Sequence, residues 1–281
     1  MRRNLYRGEA GSFETDAVSD DWGDAFVNVK EMMRRDWDAR ARRDAFHYIA
    51  SWKRDWDINS FLASGESDYL TLVSPMLERC GVSANGEVMI ELGCGAGRMT
   101  PSFARRYKRV VALDLSAEML QRARQIHVEQ QNIQWLRVGG ADLACLASGS
   151  ADFLFSYLVL QHLPTEELVF GYIREFLRVL RPGGAFLFQF NGSHKPTMNS
   201  RGRLAWGTVD ALWAAGLVSV SRTAARLLGL DPAAAGKSWR GVAIEAARIV
   251  SALCSNGGEI RELAGENTPM AWCCGVKKAG A

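Results

Sequence analysis

Three glycines at alternate positions follow a short apolar run, and this feature constrains the fold more than any other. The run begins at Val88 and includes the acidic Glu91, and the glycines are Gly93, Gly95 and Gly97. Because glycine lacks a Cβ atom, such a loop turns sharply and lets a ligand approach the backbone closely. In open α/β sheets a loop of this kind follows the first strand, where nucleotide-like cofactors bind. The sequence therefore predicts a cofactor loop, whose specificity depends on the strands that follow it.

The bulk composition gives no sign of a nucleic-acid or membrane partner. The chain has 281 residues, with 34 basic and 31 acidic side chains and a net charge of +3. Proteins that bind nucleic acid usually carry a pronounced basic surface, so we expect no nucleic-acid partner here. The sequence contains no run of 18 apolar residues, so we expect no stable insertion into a membrane.

The six cysteines show neither paired C-x-x-C spacing nor a spacing typical of metal ligands. We therefore expect no metal site, and thiols that stay reduced as they do in the cytoplasm. The first residues include two arginines but no apolar block follows them, so no secretory signal is predicted. Together these observations favour a cytoplasmic protein.

Short apolar runs alternate with amphipathic segments through the middle of the chain. The predicted strands are 88–92, 110–114, 133–138, 153–157 and 185–190, with two more at 259–263 and 270–276. Ser116 and Thr165 are predicted to cap the helices that follow them, and Arg-Pro-Gly-Gly at 181–184 is predicted to end the second of these helices. This alternation indicates parallel β-α-β units and hence an α/β fold with a doubly wound sheet.

Two segments lie outside this alternation. Residues 1–21 are polar and are expected to be loosely ordered, whereas apolar residues at helical intervals between 24 and 52 predict one or two amphipathic helices. Residues 191–238 are rich in Ala, Leu, Val and Trp and interrupt the alternation after the fifth strand. We therefore divide the chain into an N-terminal tail and helical cap (1–85) and a main domain (86–281), with a helical lid insertion at about 191–238.

One acidic residue ends the second predicted strand, and another follows the third. Asp114 lies 21 residues after Gly93, where a carboxylate accepts both hydroxyl hydrogens of a ribose. Asp142 follows the third strand and is placed to meet an adenine amino group. Either aspartate could instead be a helix-cap or turn residue, and Glu91 could bond the amides of the loop. Taken together, these residues predict a pocket for an adenosine with a further polar tail.

Four motifs in this order resemble those of class I S-adenosylmethionine-dependent methyltransferases, and especially their type 11, small-molecule branch. They are Glu-Leu-Gly-Cys-Gly-Ala-Gly-Arg at 91–98, Ala-Leu-Asp-Leu-Ser at 112–116, the run 152–163 and Arg-Val-Leu-Arg-Pro-Gly-Gly at 178–184. The resemblance covers residues 86–190 well, the last strands weakly, and the cap and the insertion hardly at all.

The resemblance implies a Rossmann-like, mostly parallel sheet of seven strands with an antiparallel last strand at 270–276. It also implies S-adenosyl-L-methionine as the cofactor, with its methionine part at the glycine loop, its ribose at Asp114 and its adenine at Asp142 and Leu143. Residues around Ser156, Tyr157 and Gln161 would lie near the sulfonium and the acceptor. The implied cofactor-binding residues are Glu91, Gly93, Cys94, Gly95, Gly97, Asp114, Leu115, Asp142, Leu143, Ser156, Tyr157 and Gln161.

Two other functions stay open. A nicotinamide-dependent oxidoreductase of the Rossmann type also has a glycine loop and an acid after the second strand. Here, however, the glycines follow G-x-G-x-G rather than G-x-G-x-x-G, and no Ser-Tyr-x-x-x-Lys motif is present. A non-catalytic cofactor-binding protein is the other alternative, and the intact set of cofactor residues argues against it.

The predicted reaction transfers a methyl group to an oxygen or nitrogen of a small or medium-sized metabolite. It needs a general base only if the acceptor must lose a proton. His162 follows the fourth strand and is the candidate catalytic base, unless it only packs or caps the loop before Pro164. His47 and His194 are weaker candidates. The chain lacks both the Asn/Asp-Pro-Pro-Tyr and the Pro-Cys motifs of nucleic-acid methyltransferases.

The acceptor itself is only weakly indicated by the sequence. Trp206 and Trp213 in the insertion favour a partly apolar acceptor, unless they only pack the lid. Trp37, Arg40 and Tyr48 of the cap are further candidates to line the acceptor pocket. We expect a small-molecule acceptor and make no prediction of the oligomeric state.

Overall fold

The computed structural model describes residues 21–193, 200–215, 217–230 and 237–280. Seven strands occur in these ranges: β1 (Gly86–Leu92), β2 (Tyr107–Asp114), β3 (Ile133–Arg137), β4 (Ala151–Ser156), β5 (Leu180–Phe190), β6 (Gly258–Ala264) and β7 (Ala271–Lys277). They form one sheet in the order β3-β2-β1-β4-β5-β7-β6. The first five strands are parallel, and β7 is antiparallel to both of its neighbours. The predicted α/β sheet is therefore confirmed, including its antiparallel last strand.

The described helices are α1 (Asp21–Ile49), α2 (Ile58–Asp68), α3 (Ser74–Arg79), α4 (Thr100–Ala104), α5 (Ala117–Ile126), α6 (Glu166–Val179), α7 (Ser200–Ala214), α8 (Val218–Leu227), α9 (Lys237–Arg240) and α10 (Ala246–Ser255). A π-helical turn at Tyr69–Val73 joins α2 to α3, and a 3-10 turn at Leu160–His162 follows β4. None of these helices combines the length and the hydropathy that crossing a membrane requires.

Side chains alternate between the two faces of the sheet, and each face packs against helices. Leu154 in β4 joins a buried cluster with Phe176 of α6, whereas its neighbours Phe153 and Phe155 join a second cluster with Phe103 of α4. The rings of Phe103 and Phe155 are 4.8 Å apart. Because successive strand residues point to opposite faces, a sheet with apolar residues at consecutive positions needs helices on both sides.

The predicted helix starts are confirmed by their capping contacts. The Ser116 hydroxyl accepts a hydrogen bond from the Met119 amide at the start of α5. The Thr165 hydroxyl does the same for the Leu168 amide at the start of α6. Side-chain caps of this kind satisfy amides that the first helical turn leaves without a partner.

Helix α6 ends at Val179, just before Arg-Pro-Gly-Gly at 181–184, as the predicted helix stop requires. The predicted start of the next strand is wrong, because β5 begins at Leu180 and includes residues 181–184. Strand β5 pairs with β4 on both sides of this stretch, which therefore forms an irregularity opposite Asp152. A Cβ atom on Gly184 would lie 3.2 Å from the Asp152 carbonyl oxygen, so close approach of the two strands requires glycine there.

The described parts of the predicted cap and insertion are mainly helical. Helix α1 is interrupted at Asp44, whose φ and ψ are −167° and 88°, so one helical segment is followed by a second. Helices α7 and α8 pack on each other through the buried Val209 and Ala225, with Trp206 against them. Helix α10 follows the insertion and begins at Ala246. The expected loose order of the N-terminal tail concerns residues 1–20, which lie outside the described ranges.

Candidate functional site: a cavity at the carboxyl ends of the strands

A cavity of about 380 Å³ lies at the carboxyl ends of β1, β2 and β4, bordered by α1 and α9. Small-ligand pockets have volumes of this order, and in open α/β sheets they occur at this edge. The predicted site residues that line it are Glu91, Gly93, Cys94, Gly95, Asp114, Leu115, Tyr157, Gln161 and His162. Gly97, Asp142, Leu143 and Ser156 lie outside the lining.

The glycine loop has a backbone that only glycine adopts without strain. Gly93, Gly95 and Gly97 have φ angles of 77°, 55° and 82°. A Cβ atom on Gly93 would lie 2.0 Å from Cγ2 of Val159, and one on Gly95 would lie 2.7 Å from Cδ1 of Ile49. The turn and the close approach of neighbouring elements thus explain the glycines at these positions.

The amides of this loop are already bonded within the protein. Gly93 and Cys94 both donate to the carbonyl oxygen of Leu113, over 2.7 and 3.0 Å. Gly95 donates to Oδ2 of Asp114 over 2.8 Å. In a dinucleotide-binding loop, the corresponding backbone groups face a pyrophosphate. The loop is therefore suited to a cofactor that brings no phosphate to this point.

Asp114 combines two backbone contacts with spare acceptor capacity. Oδ2 accepts from the Gly95 amide and Oδ1 from the Ser116 amide, both over 2.8 Å. Burial raises the pKa of this carboxyl group to about 6, against the lowering effect of its backbone hydrogen bonds. Each carboxylate oxygen has two lone pairs, so both can accept a further hydrogen bond. The side chain lines the cavity and can therefore receive the two hydroxyl groups of a ribose.

Glu91 is buried beside the loop, with 5% of its surface exposed. Its Oε2 accepts a 2.6 Å hydrogen bond from the Thr100 hydroxyl at the start of α4, rather than from a loop amide. Burial raises the pKa of Glu91 to about 7, while the Thr100 hydroxyl and the nearby Arg98 guanidinium lower it. Glu91 therefore changes charge near neutral pH at the floor of the cavity.

Asp142 and Leu143 are held by contacts away from the cavity. Oδ1 of Asp142 accepts from the Ala144 amide over 3.2 Å, which is a turn contact. Leu143 is buried, and its amide donates to Oε2 of Glu175 over 2.8 Å. Their assignment to the adenine stays a prediction. The lining residues that follow β2 and β3 are Leu115, Val138 and Gly140.

Sequence reasoning missed a strained residue in the lining, Leu158. Its φ is 59°, in the left-handed region that non-glycine residues rarely occupy. The Leu158 amide donates to Oε1 of the fully buried Gln189 over 3.2 Å, and Nε2 of Gln189 donates to Oε1 of Gln161 over 3.0 Å. Gln189 is the single polar residue in the apolar run 185–190. A lone polar residue in a buried strand was the sequence signal that could have indicated this hydrogen-bonded segment.

His162 lies at the other end of this hydrogen-bond chain. Its Nδ1 lies 2.6 Å from the Trp239 carbonyl oxygen, to which it donates, so its Nε2 accepts from Nε2 of Gln161 over 3.1 Å. Burial lowers the pKa of His162 to about 4. The imidazole is thus neutral at physiological pH, with a partner on each nitrogen. This arrangement supports the packing alternative, and the role of catalytic base stays a prediction.

Aromatic rings form the side of the cavity next to His162. We call Trp37, Tyr48, His162 and Trp239 the aromatic wall. The Trp239 ring stacks on His162 at 5.1 Å and meets Tyr48 edge to face at 5.8 Å. Trp37 meets His162 edge to face at 5.4 Å. All four residues line the cavity, whereas Arg40 does not.

Several other residues that the sequence suggested for the acceptor pocket or the catalytic base do not line the cavity. Trp206 packs against Arg240 at 4.0 Å and Trp213 is buried, and neither lines the cavity. Nδ1 of His47 bonds the carbonyl oxygen of Lys53 away from the cavity. His194 lies outside the described residues. In the part of the chain that the structure describes, no three His, Cys, Asp or Glu side chains are grouped to bind a metal ion.

A model of the methyltransferase domain family matches residues 90–188, which run from the end of β1 into β5 and include β2, β3, β4 and α6. Among curated proteins, malonyl-[acyl-carrier protein] O-methyltransferase of Yersinia pestis is 36% identical over 112 residues, or 40% of this chain and 39% of that protein. Trans-aconitate 2-methyltransferase of Deinococcus radiodurans is 36% identical over 108 residues, or 38% of each protein. The chain thus matches about two fifths of the length of these relatives.

A solved structure with a similar fold is magnesium protoporphyrin IX methyltransferase from Synechocystis PCC 6803 with bound S-adenosylmethionine. The TM-score is 0.54 at 17% identity, covering 94% of this chain and 100% of that one. At this identity the likeness concerns the fold alone. Residues 90–188 therefore match a methyltransferase domain, and they lie within a chain that has the fold of a solved methyltransferase.

Proposed function

We propose that this protein transfers a methyl group from S-adenosyl-L-methionine to an oxygen or nitrogen of a small or medium-sized acceptor. The observation that carries the proposal is the carboxylate of Asp114. It lies in the cavity at the end of β2 and is bonded to the glycine loop, with one lone pair on each oxygen left for a ribose. The cavity extends from this carboxylate to the aromatic wall, so one space can hold both reactants.

The residues that line the cavity fit S-adenosyl-L-methionine. Asp114 would hold the ribose, the loop from Gly93 to Gly95 would face the methionine part, and Leu115 would pack beside the adenosine. Glu91, ionised above its pKa of about 7, would offer a carboxylate near the polar end of the cofactor. Asp142, Leu143, Ser156 and Gly97 would support these residues from behind, since they do not line the cavity.

The cofactor supplies an activated methyl group, and the protein supplies its placement. Such a displacement needs the acceptor atom in line with the breaking bond, so catalysis depends mostly on proximity, orientation and exclusion of water. Tyr157 and Gln161 line the cavity between the glycine loop and the aromatic wall and would position the acceptor. If the acceptor must lose a proton, His162 would accept it only after Nε2 parts from Gln161.

A nicotinamide-dependent oxidoreductase is less well supported. Its sheet has the order 3-2-1-4-5-6, without an antiparallel strand between the last two positions. Here β7 separates β5 from β6. The bonded amides of the glycine loop also leave little for a pyrophosphate to contact. A non-catalytic cofactor-binding protein would not require the large aromatic half of the cavity.

We further propose a cytoplasmic location, a small-molecule acceptor rather than nucleic acid, and the division of the chain near residue 85. The six cysteines are free thiols in the structure, which supports a reducing compartment. Helices α1 to α3 precede the first strand, which supports the division into a cap and a main domain.

Isothermal titration calorimetry with S-adenosylhomocysteine tests the cofactor assignment. We expect micromolar binding to the wild type, and at least about a tenfold loss of affinity for Asp114→Ala, because two hydroxyl groups lose a charged acceptor. Asp142→Ala should lose less, since Asp142 does not line the cavity. Absence of binding to the wild type, or an unchanged affinity of the Asp114 variant, would refute the assignment. Binding of NAD in its place would favour the oxidoreductase.

A further inference from the structure

A group of aromatic residues lines the cavity outside the glycine loop. They are Trp37, Tyr48, Trp52, Tyr157, His162 and Trp239. They come from the cap, from the segment after β4 and from α9. Tyr157 lies immediately after β4, so this aromatic surface begins beside the glycine loop, where a transferred methyl group would emerge. An acceptor held beside the cofactor in this cavity would therefore have these rings within its reach.

Charged side chains in the lining already have partners. Arg98 is buried, and its Nη1 lies 2.7 Å from Oδ2 of Asp68. Glu91 is bonded to Thr100, and Asp114 to backbone amides. His162 is neutral, because burial lowers its pKa to about 4. Within the described lining, an anionic acceptor would thus meet no unpaired cation, and burying an unpaired charge is strongly unfavourable.

A second guanidinium, that of Arg40, lies behind the aromatic wall. It is 4.5 Å from the ring centre of Trp239, 5.0 Å from that of Tyr48 and 5.8 Å from that of Trp37. Its Nε donates to Oδ2 of Asp36 over 3.0 Å, and 2% of the residue is exposed. Cations over ring faces are attracted by the ring quadrupole. Arg40 therefore holds the three rings together instead of facing the acceptor, although its Nη2 has no hydrogen-bond partner.

We propose that the acceptor is an uncharged, planar aromatic or conjugated ring that bears the methylated oxygen or nitrogen and packs against the aromatic wall. This inference rests on the proposed methyltransferase function and names its substrate class. Aromatic rings pair by offset stacking or edge-to-face contact at separations of 4.5–7 Å. The wall already uses this range, with centroid distances from 5.1 to 6.1 Å. A planar ring extends that packing, whereas a saturated ring of equal size does not.

Three probes with a common skeleton separate planarity from charge. They are 2-naphthol (planar and neutral), decahydro-2-naphthol (saturated and neutral) and 2-naphthoate (planar and anionic), each titrated calorimetrically into protein saturated with S-adenosylhomocysteine. We expect 2-naphthol to bind at least about fivefold more tightly than either of the others, from the pair energies of aromatic contacts and the burial of an unpaired charge. Equal or tighter binding of decahydro-2-naphthol or of 2-naphthoate, or no preference among the three, would overturn the proposal.

A substitution in the aromatic wall tests whether the wall causes the preference for 2-naphthol. Trp239→Leu should weaken 2-naphthol binding by at least about fivefold while leaving the affinity for S-adenosylhomocysteine within about twofold. The matched control is Phe170→Leu, which removes an aromatic ring that lies under Arg248 at 5.2 Å, outside the cavity. It should change neither affinity. An unaltered 2-naphthol affinity in Trp239→Leu would contradict the proposed contact.

The experiments distinguish a wrong methyltransferase assignment from a wrong acceptor class. If the wild type does not bind S-adenosylhomocysteine, the methyltransferase proposal itself fails. If it binds S-adenosylhomocysteine but shows no preference for 2-naphthol, only the acceptor class is wrong.

Discussion

The two halves of the cavity are built in different ways. The cofactor half comes from one short stretch of chain, since the glycine loop and Asp114 lie at the ends of the neighbouring strands β1 and β2. The acceptor half is assembled from distant parts: Trp37 and Tyr48 from α1, His162 from the turn after β4 and Trp239 from α9. One half is thus determined by local backbone geometry and the other by tertiary packing.

This contrast predicts different sensitivity to substitution. In the glycine loop the backbone itself is constrained, since positive φ angles and close neighbours leave no space for a side chain. In the aromatic wall only side-chain shape and ring character matter, so a change there should alter acceptor binding and spare the fold. The following predictions test this difference, beginning with the largest expected effect.

Substitution of the first loop glycine should have the greatest effect. Gly93→Ala places a Cβ atom 2.0 Å from Cγ2 of Val159 and forces an L-residue to a φ of 77°. We expect a loss of at least about 3 kcal/mol in the free energy of unfolding, from strain and overpacking together. Urea denaturation measures it, and calorimetry should show no binding of S-adenosylhomocysteine.

Gly139→Ala is the matched control, because a Cβ atom there has nothing within 4 Å. It should change the free energy of unfolding by less than about 0.5 kcal/mol. If the two alanine variants were equally stable, the glycine loop would not be constrained by its backbone.

Removal of the buried glutamine behind Leu158 should come next. Gln189→Leu leaves the Leu158 amide and Oε1 of Gln161 without their partner. A buried polar group left unsatisfied costs about 1–3 kcal/mol. Because Leu158 and Gln161 are only half-buried, we expect the lower part of this range for each, and a total of about 2–4 kcal/mol in urea denaturation. The exposed Gln131→Leu serves as the control. A loss below about 1 kcal/mol would show that Gln189 does not hold the strained segment.

Glu91 should make stability depend on pH in the cofactor half. Its pKa is raised from 4.5 to about 7 in the folded protein, so the native state favours the protonated form. The resulting stabilisation is fully present below the pKa that Glu91 has in the unfolded chain, and it is lost as the pH rises through about 7. Relative to Glu91→Gln, the wild type should therefore lose about 2–3 kcal/mol in unfolding free energy between pH 4.5 and pH 8.

Urea denaturation of both proteins across this range measures the difference, with the exposed Glu129→Gln as the control. A difference between the wild type and Glu91→Gln that is independent of pH would contradict the buried, protonatable state of Glu91.

A smaller effect should appear in cofactor affinity at acidic pH. Burial raises the pKa of Asp114 to about 6, and only the ionised carboxylate accepts two ribose hydroxyl groups. We expect the affinity for S-adenosylhomocysteine to fall by up to about tenfold per pH unit below pH 6. Asp114→Asn should bind S-adenosylhomocysteine more weakly, and its affinity should not show this fall below pH 6. If the affinities of the two proteins fell in parallel, a group other than Asp114 would cause the pH dependence.

Sequence information was sufficient where structure follows from local geometry. The glycine loop, the acid at the end of β2 and the caps Ser116 and Thr165 were predicted correctly as structural features, since each depends on its neighbours in the chain. The start of β5 was predicted too late, because the proline and glycines at 181–184 accompany strand irregularities as well as helix ends.

The acceptor half could not be predicted to the same depth. The left-handed Leu158 depends on the distant Gln189, and Trp239 reaches the cavity only through the packing of α9 on the turn at His162. Trp37, Arg40 and Tyr48 lie in one helix and were named from the sequence, whereas the contact of Arg40 with Trp239 joins this helix to α9. That contact arises from tertiary packing and leaves no periodic signal in the sequence.

A crystal structure of the protein with S-adenosylhomocysteine tests the central claim most directly. We predict both ribose hydroxyl groups within hydrogen-bond distance of the Asp114 carboxylate, and the homocysteine part over the loop from Gly93 to Gly95. The sulfur should face Tyr157 and the aromatic wall. A ligand bound elsewhere, or a ribose without contact to Asp114, would contradict the account.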